Sequence, residues 1–505
     1  MINWQWESFE RYTNSEYFDV TDAGPLLSPV QTFKITRDCK LNLLLECVVV
    51  GDAQPSSAPV HPNGAMQLTT KKVEFAGHDG MCLTARGVLP FSKSETHISK
   101  SETHITDLVK KTTQKAHVHS LAAKLRNDVI PAYTIDWLAN LDRGKYVWQG
   151  AFIREKRETV DTITLGCGAR AIELSARALS SCSMNSSGLE LSIDDFRLFI
   201  FGCESNVAKG VERPGYIFYD GAPSDEVRTK IRQVLSFCLG NYLVYLGSTK
   251  LSKNSEIVAF SAMSPPSIGR ISEIPVVPPA VLGDGNIAEP KVVDRMANAI
   301  YMRYDELRFN SFSWAYWHAM CAPVHMAAGH FGAAIEALQN AYMKAHPKKF
   351  SHKLVADKEK WKSLKEALLK TIDKAKLNDT VSTILKNKVK FNLNQTPAGA
   401  LSEQMLAEIG ITLGQVEDAA WKRRNQAAHG NEIDTDSVIP TIMETKLLKI
   451  ILHRMVLKIT CASDFYYDDY TIGHAIRKVT DSVPPPTRAP DTEPAPANTG
   501  SGPNA

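Results

Sequence analysis

The chain has 505 residues, 44% of them hydrophobic and 22% charged, with a formal net charge of +3. That composition excludes a disordered, collagen-like or strongly polybasic protein, and the length predicts two to four domains with cores of their own. Nine cysteines occur without a C-x-x-C pair, which argues against a disulfide framework or zinc ribbon and points to a reducing compartment. The opening `MINWQWESFERYTNSEYFDV` lacks an apolar leader, and no run of about 18 apolar residues follows anywhere, so a cytoplasmic protein with no membrane partner is predicted.

From about Gln31 to Ala262 the chain reads as short β-prone runs, among them `LNLLLECVVV`, `KKVEFAG`, `FRLFIFG` and `EIVAFSA`, divided by Gly, Pro and Asn. Such punctuation predicts sheets packed face to face, a sandwich or distorted barrel. Two helical interruptions are expected. The apolar spacing of `KAHVHSLAAKLRNDVIPAYTIDWLANL` fits a helix, and `SDEVRTKIRQVLSFCLGNYLVYLG` opens on Ser224, a helix cap, before a periodic run. Between Ser92 and Ile105 the heptapeptide `SKSETHI` occurs twice in tandem, which reads as a duplicated exposed loop. The N-terminal domain is therefore placed at 1–263.

A Pro/Gly-rich linker follows at 264–290, then a helical domain at 291–480, and a tail at 481–505 too poor in apolar residues to fold. In the helical part the expected segments are Val292–His318, Val324–Ala345, Lys353–Leu377, Ser402–Ile409, Gln415–His429 and Thr441–Cys461. Leu354, Trp361, Leu364, Leu368 and Ile372 make an apolar stripe among lysines in the third of these positions, and the last segment is apolar on more than one side. The fold class is α+β, a β-rich N-terminal domain followed by an all-α bundle.

The stretch `WKRRNQAAHG` carries the chemistry. On a helix, Asn425 and His429 are nearly eclipsed and Arg424 lies about 100° away, so the three can border one recess, with Gly430 placed to end the helix. Metal-free RNA cleavage needs a proton shuttle, which a histidine provides, and a fixed cation beside the phosphorane, which an arginine provides. One such set holds a single histidine, so two copies facing each other make a more complete site. From Lys344 to Lys390 there are 14 lysines against five acidic residues. Lys362 and Lys365 in that band, with Lys422 and Arg423 beside the motif, are the expected RNA contacts. Taken alone, R-x-x-x-x-H also fits the polar end of a helix, and the lysine band also fits a solvated face.

Other clusters are weaker. His318, Cys321, His325 and His330 resemble metal ligands in spacing, but Pro323 interrupts the helix and no carboxylate completes the set, so helix packing is expected and no metal or cofactor is assigned. His117 and His119 read as a surface pair. The glycines of `LGCGAR`, Gly166 and Gly168, fall short of G-x-G-x-x-G.

Arg424, Asn425 and His429, placed before a long apolar helix, resemble the R-x(4 to 6)-H motif of the HEPN family, in which a polar residue often follows the arginine. `HFGAAIEALQNAYMK`, with Glu336, resembles that family's earlier core helix, and the layout as a whole resembles the ApeA-type abortive-infection proteins of bacteria. The resemblance implies a metal-independent endoribonuclease, dimeric or of higher order, with paired motifs at the interface and 2′,3′-cyclic phosphate products. It also implies a role in anti-phage defence, with the N-terminal domain restraining the nuclease or sensing a phage-derived protein trigger, and RNA, tRNA included, as target. Two other readings stay open: a non-catalytic RNA- or nucleotide-binding module with a β-rich ligand-binding domain, and an adaptor with no nucleic-acid role.

Overall fold

The computed structural model describes residues 9–51, 72–102, 105–141, 146–148, 152–157, 160–166, 168–177, 188–203, 211, 213–265, 277–428 and 438–485. The fold is mixed α and β, with extensive sheet in the N-terminal half and helices in the C-terminal half. The chain divides into two compact units. One comprises Met1–Asp305 with Thr460–Ala462, the other Glu306–Ile459 with Ser463–Ala505.

In the first unit a ten-stranded sheet runs in the order Phe18–Asp22, Lys72–Gly77, Cys82–Arg86, Ser120–Lys124, Ile257–Met263, Tyr245–Leu251, Tyr133–Leu138, Gly215–Asp220, Phe196–Gly202 and Gly188–Ile193. A second sheet, ordered Thr32–Arg37, Leu43–Val50, Ile105–Val118 and Leu89–Glu102, shares a core with the first half of the large one. Phe33, Leu45 and Cys47 from the small sheet meet Phe75, Leu83 and Phe260 from the large one in that core, which gives the expected sandwich.

The other half of the large sheet is served by helices. Helix α1 (Asp225–Leu239) is capped by Ser224, whose hydroxyl accepts from the Val227 amide at 3.3 Å, as its sequence predicts. It anchors to the sheet through Asp136, a fully buried carboxylate that accepts from Arg228, Arg232 and, at 3.2 Å, the Tyr219 hydroxyl. Helix α2 (Pro290–Tyr301) ties to the edge strand through Asn298, which accepts from the Asp194 amide at 2.8 Å and donates to the Ser192 carbonyl at 2.6 Å.

Two sequence readings in this unit need correction. `KAHVHSLAAKLRNDVIPAYTIDWLANL` forms strands, not a helix. Ala116, Val118, Leu121, Ala123 and Leu125 are buried while the residues between them face outward, a period-two pattern. Tyr133–Leu138 is the inner strand of the large sheet, almost wholly buried, so it carries no alternation to read. The `SKSETHI` repeats are not a loop either. Most of both copies lies in the strand Leu89–Glu102, paired with Ile105–Val118. Because seven is odd, the copies fall at opposite parity along a structure of period two, Ser92 facing Lys115 and Ser99 facing Leu108.

Part of the Pro/Gly-rich segment is also structured: Ala280 and Leu282 are buried, and Ile287–Ala288 pairs in parallel with Val147–Trp148. Its residues 266–276 lie outside the described chain, as does 486–505 of the expected tail.

The second unit contains α3 (Phe309–Cys321), α4 (Val324–Ala345), α5 (Lys358–Lys374), α6 (Asp379–Asn387), α7 (Ala398–Glu408), α8 (Gln415–Ala428) and α9 (Val438–Thr460). The segment read as one helix, Val292–His318, is two, α2 and α3, broken where Arg308 takes a left-handed conformation at φ 49°. The last helix is central, as expected: Leu448, Ile450, Ile451, Leu452, Met455, Val456 and Leu457 are fully buried around its whole circumference.

Candidate functional site

Arg424 sits on the face of α8 that packs against α4. Its guanidinium carbon lies 3.7 Å from the centre of the Trp421 ring, one turn earlier on the same helix. Nη1 donates to the Trp421 carbonyl at 2.6 Å, and Nη2 donates to Glu336 Oε1 on α4 at 3.3 Å. The arginine side chain is 14% exposed and the glutamate 54%, so the pair stands at the edge of the helical seam with its carboxylate toward water. Arg424 Nε is buried without a hydrogen-bond partner.

A glycine creates the space for this. A Cβ added at Gly332 would lie 3.3 Å from Arg424 Cδ, so the arginine stem rests on bare backbone of α4. Mid-helix glycine costs helix stability, and close approach of a neighbour is the compensating use. In `HFGAAIEAL` that glycine was the legible sign of a seam, and Glu336 four residues later is on the same side of the helix.

The pose of α8 is fixed from below. Glu417 in its first turn is fully buried and accepts from Arg454 of α9, while its other oxygen accepts from the Gly414 amide at 2.8 Å and the Val483 amide at 3.3 Å. Arg454 Nε and Nη2 donate to the carbonyls of Val479 and Thr412 at 2.9 and 3.0 Å. A buried ion pair with its remaining donors and acceptors satisfied specifies one orientation more than it adds stability. Higher on α8, Arg423 pairs with Glu444 of α9, whose carboxyl is raised above its ordinary pKa by burial despite the nearby arginine.

The predicted site residues are therefore distributed as follows. Arg424 is brought to Glu336 and Trp421. Asn425 lies in α8 next to Arg424, its side chain outside the described atoms, and His429 lies outside the described residues. Lys422 pairs with Asp418 on its own helix at 2.6 Å, and Arg423 is engaged by Glu444, so both expected RNA contacts already have protein partners. Lys362 and Lys365 are on α5, a different element from the α4–α8 seam.

Of the histidine and cysteine cluster, His318 is engaged within its own helix and His325 is exposed. His318 Nδ1 donates to the Trp314 carbonyl at 2.7 Å and its ring lies 3.8 Å from that of Trp314. Among the described residues no group of three or more His, Cys, Asp or Glu is arranged to hold a metal ion. His117 stacks on Phe91 at 4.3 Å, and Gly166 and Gly168 turn the chain between two strands with positive φ. Among the described residues, no helix is long and apolar enough to cross a membrane.

No family model matches the chain, and the searches of curated proteins and of solved structures give no match.

Proposed function

We propose that the second unit is a HEPN-type, metal-independent endoribonuclease whose working residues are Arg424, Asn425 and His429. The observation that carries the reading is the setting of Arg424: a guanidinium held at the rim of a helical seam, stacked on Trp421, and five residues before His429 in the sequence. In the proposed reaction the RNA 2′-oxygen attacks the adjacent phosphorus and the bond from phosphorus to the 5′-oxygen breaks. The 2′-hydroxyl proton passes to an imidazole and a proton is returned to the leaving 5′-oxygen, giving a 2′,3′-cyclic phosphate and a 5′-hydroxyl. Arg424 stabilises the extra charge of the phosphorane, and Asn425 orients the ring or a phosphate oxygen.

Because each chain supplies one such histidine, a homodimer or higher homo-oligomer completes the acid and base roles. In this reading Lys422 and Arg423 exchange their carboxylate partners, Asp418 and Glu444, for phosphate oxygens when RNA binds, and Lys362 and Lys365 extend the basic surface. The cellular role we propose is abortive defence against phage, with the β-rich unit as regulator responding to a phage-derived protein and RNA such as tRNA as target.

The Arg424–Glu336 bond favours a second reading, in which the arginine is structural and the unit binds RNA or a nucleotide without cleaving it. Expression of wild type and His429→Ala in cells challenged with phage separates the two. The ribonuclease reading predicts RNA breakage and growth arrest with wild type only; intact RNA with both chains means binding without catalysis, and equal breakage with both removes His429 from the reaction.

A further inference from the structure

Residues 351–396 form an arm with its own architecture. Its two ends are clasped: Val355 N donates to Asn394 Oδ1 at 2.7 Å, Asn394 Nδ2 donates to the Val355 carbonyl at 3.1 Å, and Thr396 Oγ1 donates to the Ser351 carbonyl at 2.8 Å. Beyond the clasp, α5 and α6 are each properly started. Asp357 accepts from the amides of Glu359 and Lys360, and Asn378 accepts from that of Val381. Lys386 of α6 pairs with Asp373 of α5 at 2.5 Å.

The arm is ordered by these local bonds, yet not one residue of α5 or α6 is buried. Of the apolar stripe, Trp361, Leu368 and Ile372 are half-buried, while Leu354 and Leu364 are exposed. Leu364 is 45% exposed, Val381 39%, Ile384 52% and Phe391 69%. Apolar side chains this exposed, on and just after two helices in which no described residue is buried, mark an interaction surface.

Charge decides what covers it. Residues 351–396 hold 11 lysines, no arginine and five acidic residues, a difference of +6. A second copy of the arm brings like charge against like charge. Phosphate contacts to RNA use the lysines and leave the leucine, valine, isoleucine and phenylalanine side chains without a role. Lipid is a poor fit as well, because Lys388 lies in the apolar row itself, four residues after Ile384 and seven after Val381, on the same side of the helix. Lys360 likewise stands one turn before Leu364 on α5. A polypeptide helix with an apolar stripe set among carboxylates satisfies both features at once, its leucine-type residues against Leu364, Val381, Ile384 and Phe391, its acids against Lys360 and Lys388.

We propose that this arm is the docking surface for an acidic amphipathic helix of a partner protein. The assignment uses neither Arg424 nor His429, and its test residues Lys360, Ile384, Lys388 and Phe391 are distinct from Lys362 and Lys365, the arm lysines of the proposed RNA surface. The test uses the full-length chain and a synthetic three-heptad peptide with leucine at the two core positions and glutamate elsewhere. A peptide of the same composition with the leucines scrambled, an oligouridylate and phosphatidylglycerol–phosphatidylcholine vesicles serve as the comparison ligands. The striped acidic peptide is expected to bind at least about tenfold more tightly than the scrambled one, and Ile384→Ser with Phe391→Ser, or Lys360→Glu with Lys388→Glu, to lose about tenfold or more. Equal binding of the striped and scrambled peptides overturns the proposal. So does a loss of vesicle or oligouridylate binding, or of self-association in analytical ultracentrifugation, on Ile384→Ser with Phe391→Ser while the peptide still binds.

Discussion

In α9, Lys449, His453 and Arg454 lie among leucines, isoleucines and valines and are buried; in α5 and α6, lysines also lie among leucines and isoleucines, and nothing is buried. The central helix gives each buried group a partner: Asp469 for Lys449, the Tyr316 hydroxyl at 3.1 Å for His453, and Glu417 for Arg454. The arm leaves its lysines largely to water and its apolar residues half covered. Both segments mix charge with apolar residues, and the difference between them lies in the carboxylates supplied by other parts of the chain. Where Glu417 and Asp469 arrive, a cation can be central; where none arrives, the helix stays at the surface.

The comparison is broken most severely by removing one buried partner. Arg454→Met strands Glu417 in the core and is expected to cost about 3–5 kcal/mol in urea denaturation of the second unit, whereas Arg454→Met combined with Glu417→Gln recovers much of that loss. If both variants melt like wild type, the pair does not hold α8 in place.

Gly332→Val tests the seam that α9 supports from below. The new methyl groups meet the Arg424 stem and displace its guanidinium from Trp421, so ribonuclease activity is expected to fall by about tenfold or more while the melting temperature changes little. Undiminished turnover rules out any dependence on the stacked arginine.

A smaller, pH-dependent effect belongs to His453. Burial, reinforced by the charge of Lys449, holds its pKa well below the ordinary histidine value. The folded state thus takes up its proton less readily than the unfolded chain. The stability tied to neutral His453 is present above about pH 6.5 and is lost as pH falls below that toward the folded pKa. His453→Gln is expected to flatten the decline between neutral and mildly acidic pH, and a melting-temperature series against pH detects it. At the other extreme, Ile384→Ser in the arm is expected to change stability by no more than about 0.5 kcal/mol, because the side chain is half exposed.

Much of this contrast was legible before the structure, and its limits have physical causes. The central helix announced itself by being apolar on several sides, and the Ser224 cap located α1. Alternation was misread as helical around Ala116–Leu125 because small alanines satisfy either period, and Tyr133–Leu138 hid its strand by being buried on both faces. At the site, Arg424, Asn425 and His429 were visible as a spacing, but the contact of Arg424 with Glu336 depends on two helices 88 residues apart meeting, which no local pattern encodes. The amphipathic stripe of Lys353–Leu377 is legible in the sequence, whereas which of its members are half-buried (Trp361, Leu368, Ile372) and which stay exposed (Leu354, Leu364) depends on tertiary contacts.

The most direct test of the central claim is end-mapping of a defined RNA incubated with purified wild type, Arg424→Ala or His429→Ala, with and without a chelator. The account predicts chelator-insensitive fragments with 2′,3′-cyclic phosphate ends from wild type, reduced by about 10²–10³-fold in Arg424→Ala and lost in His429→Ala. Fragments of equal yield from all three chains, or intact RNA bound equally by all three, would contradict it.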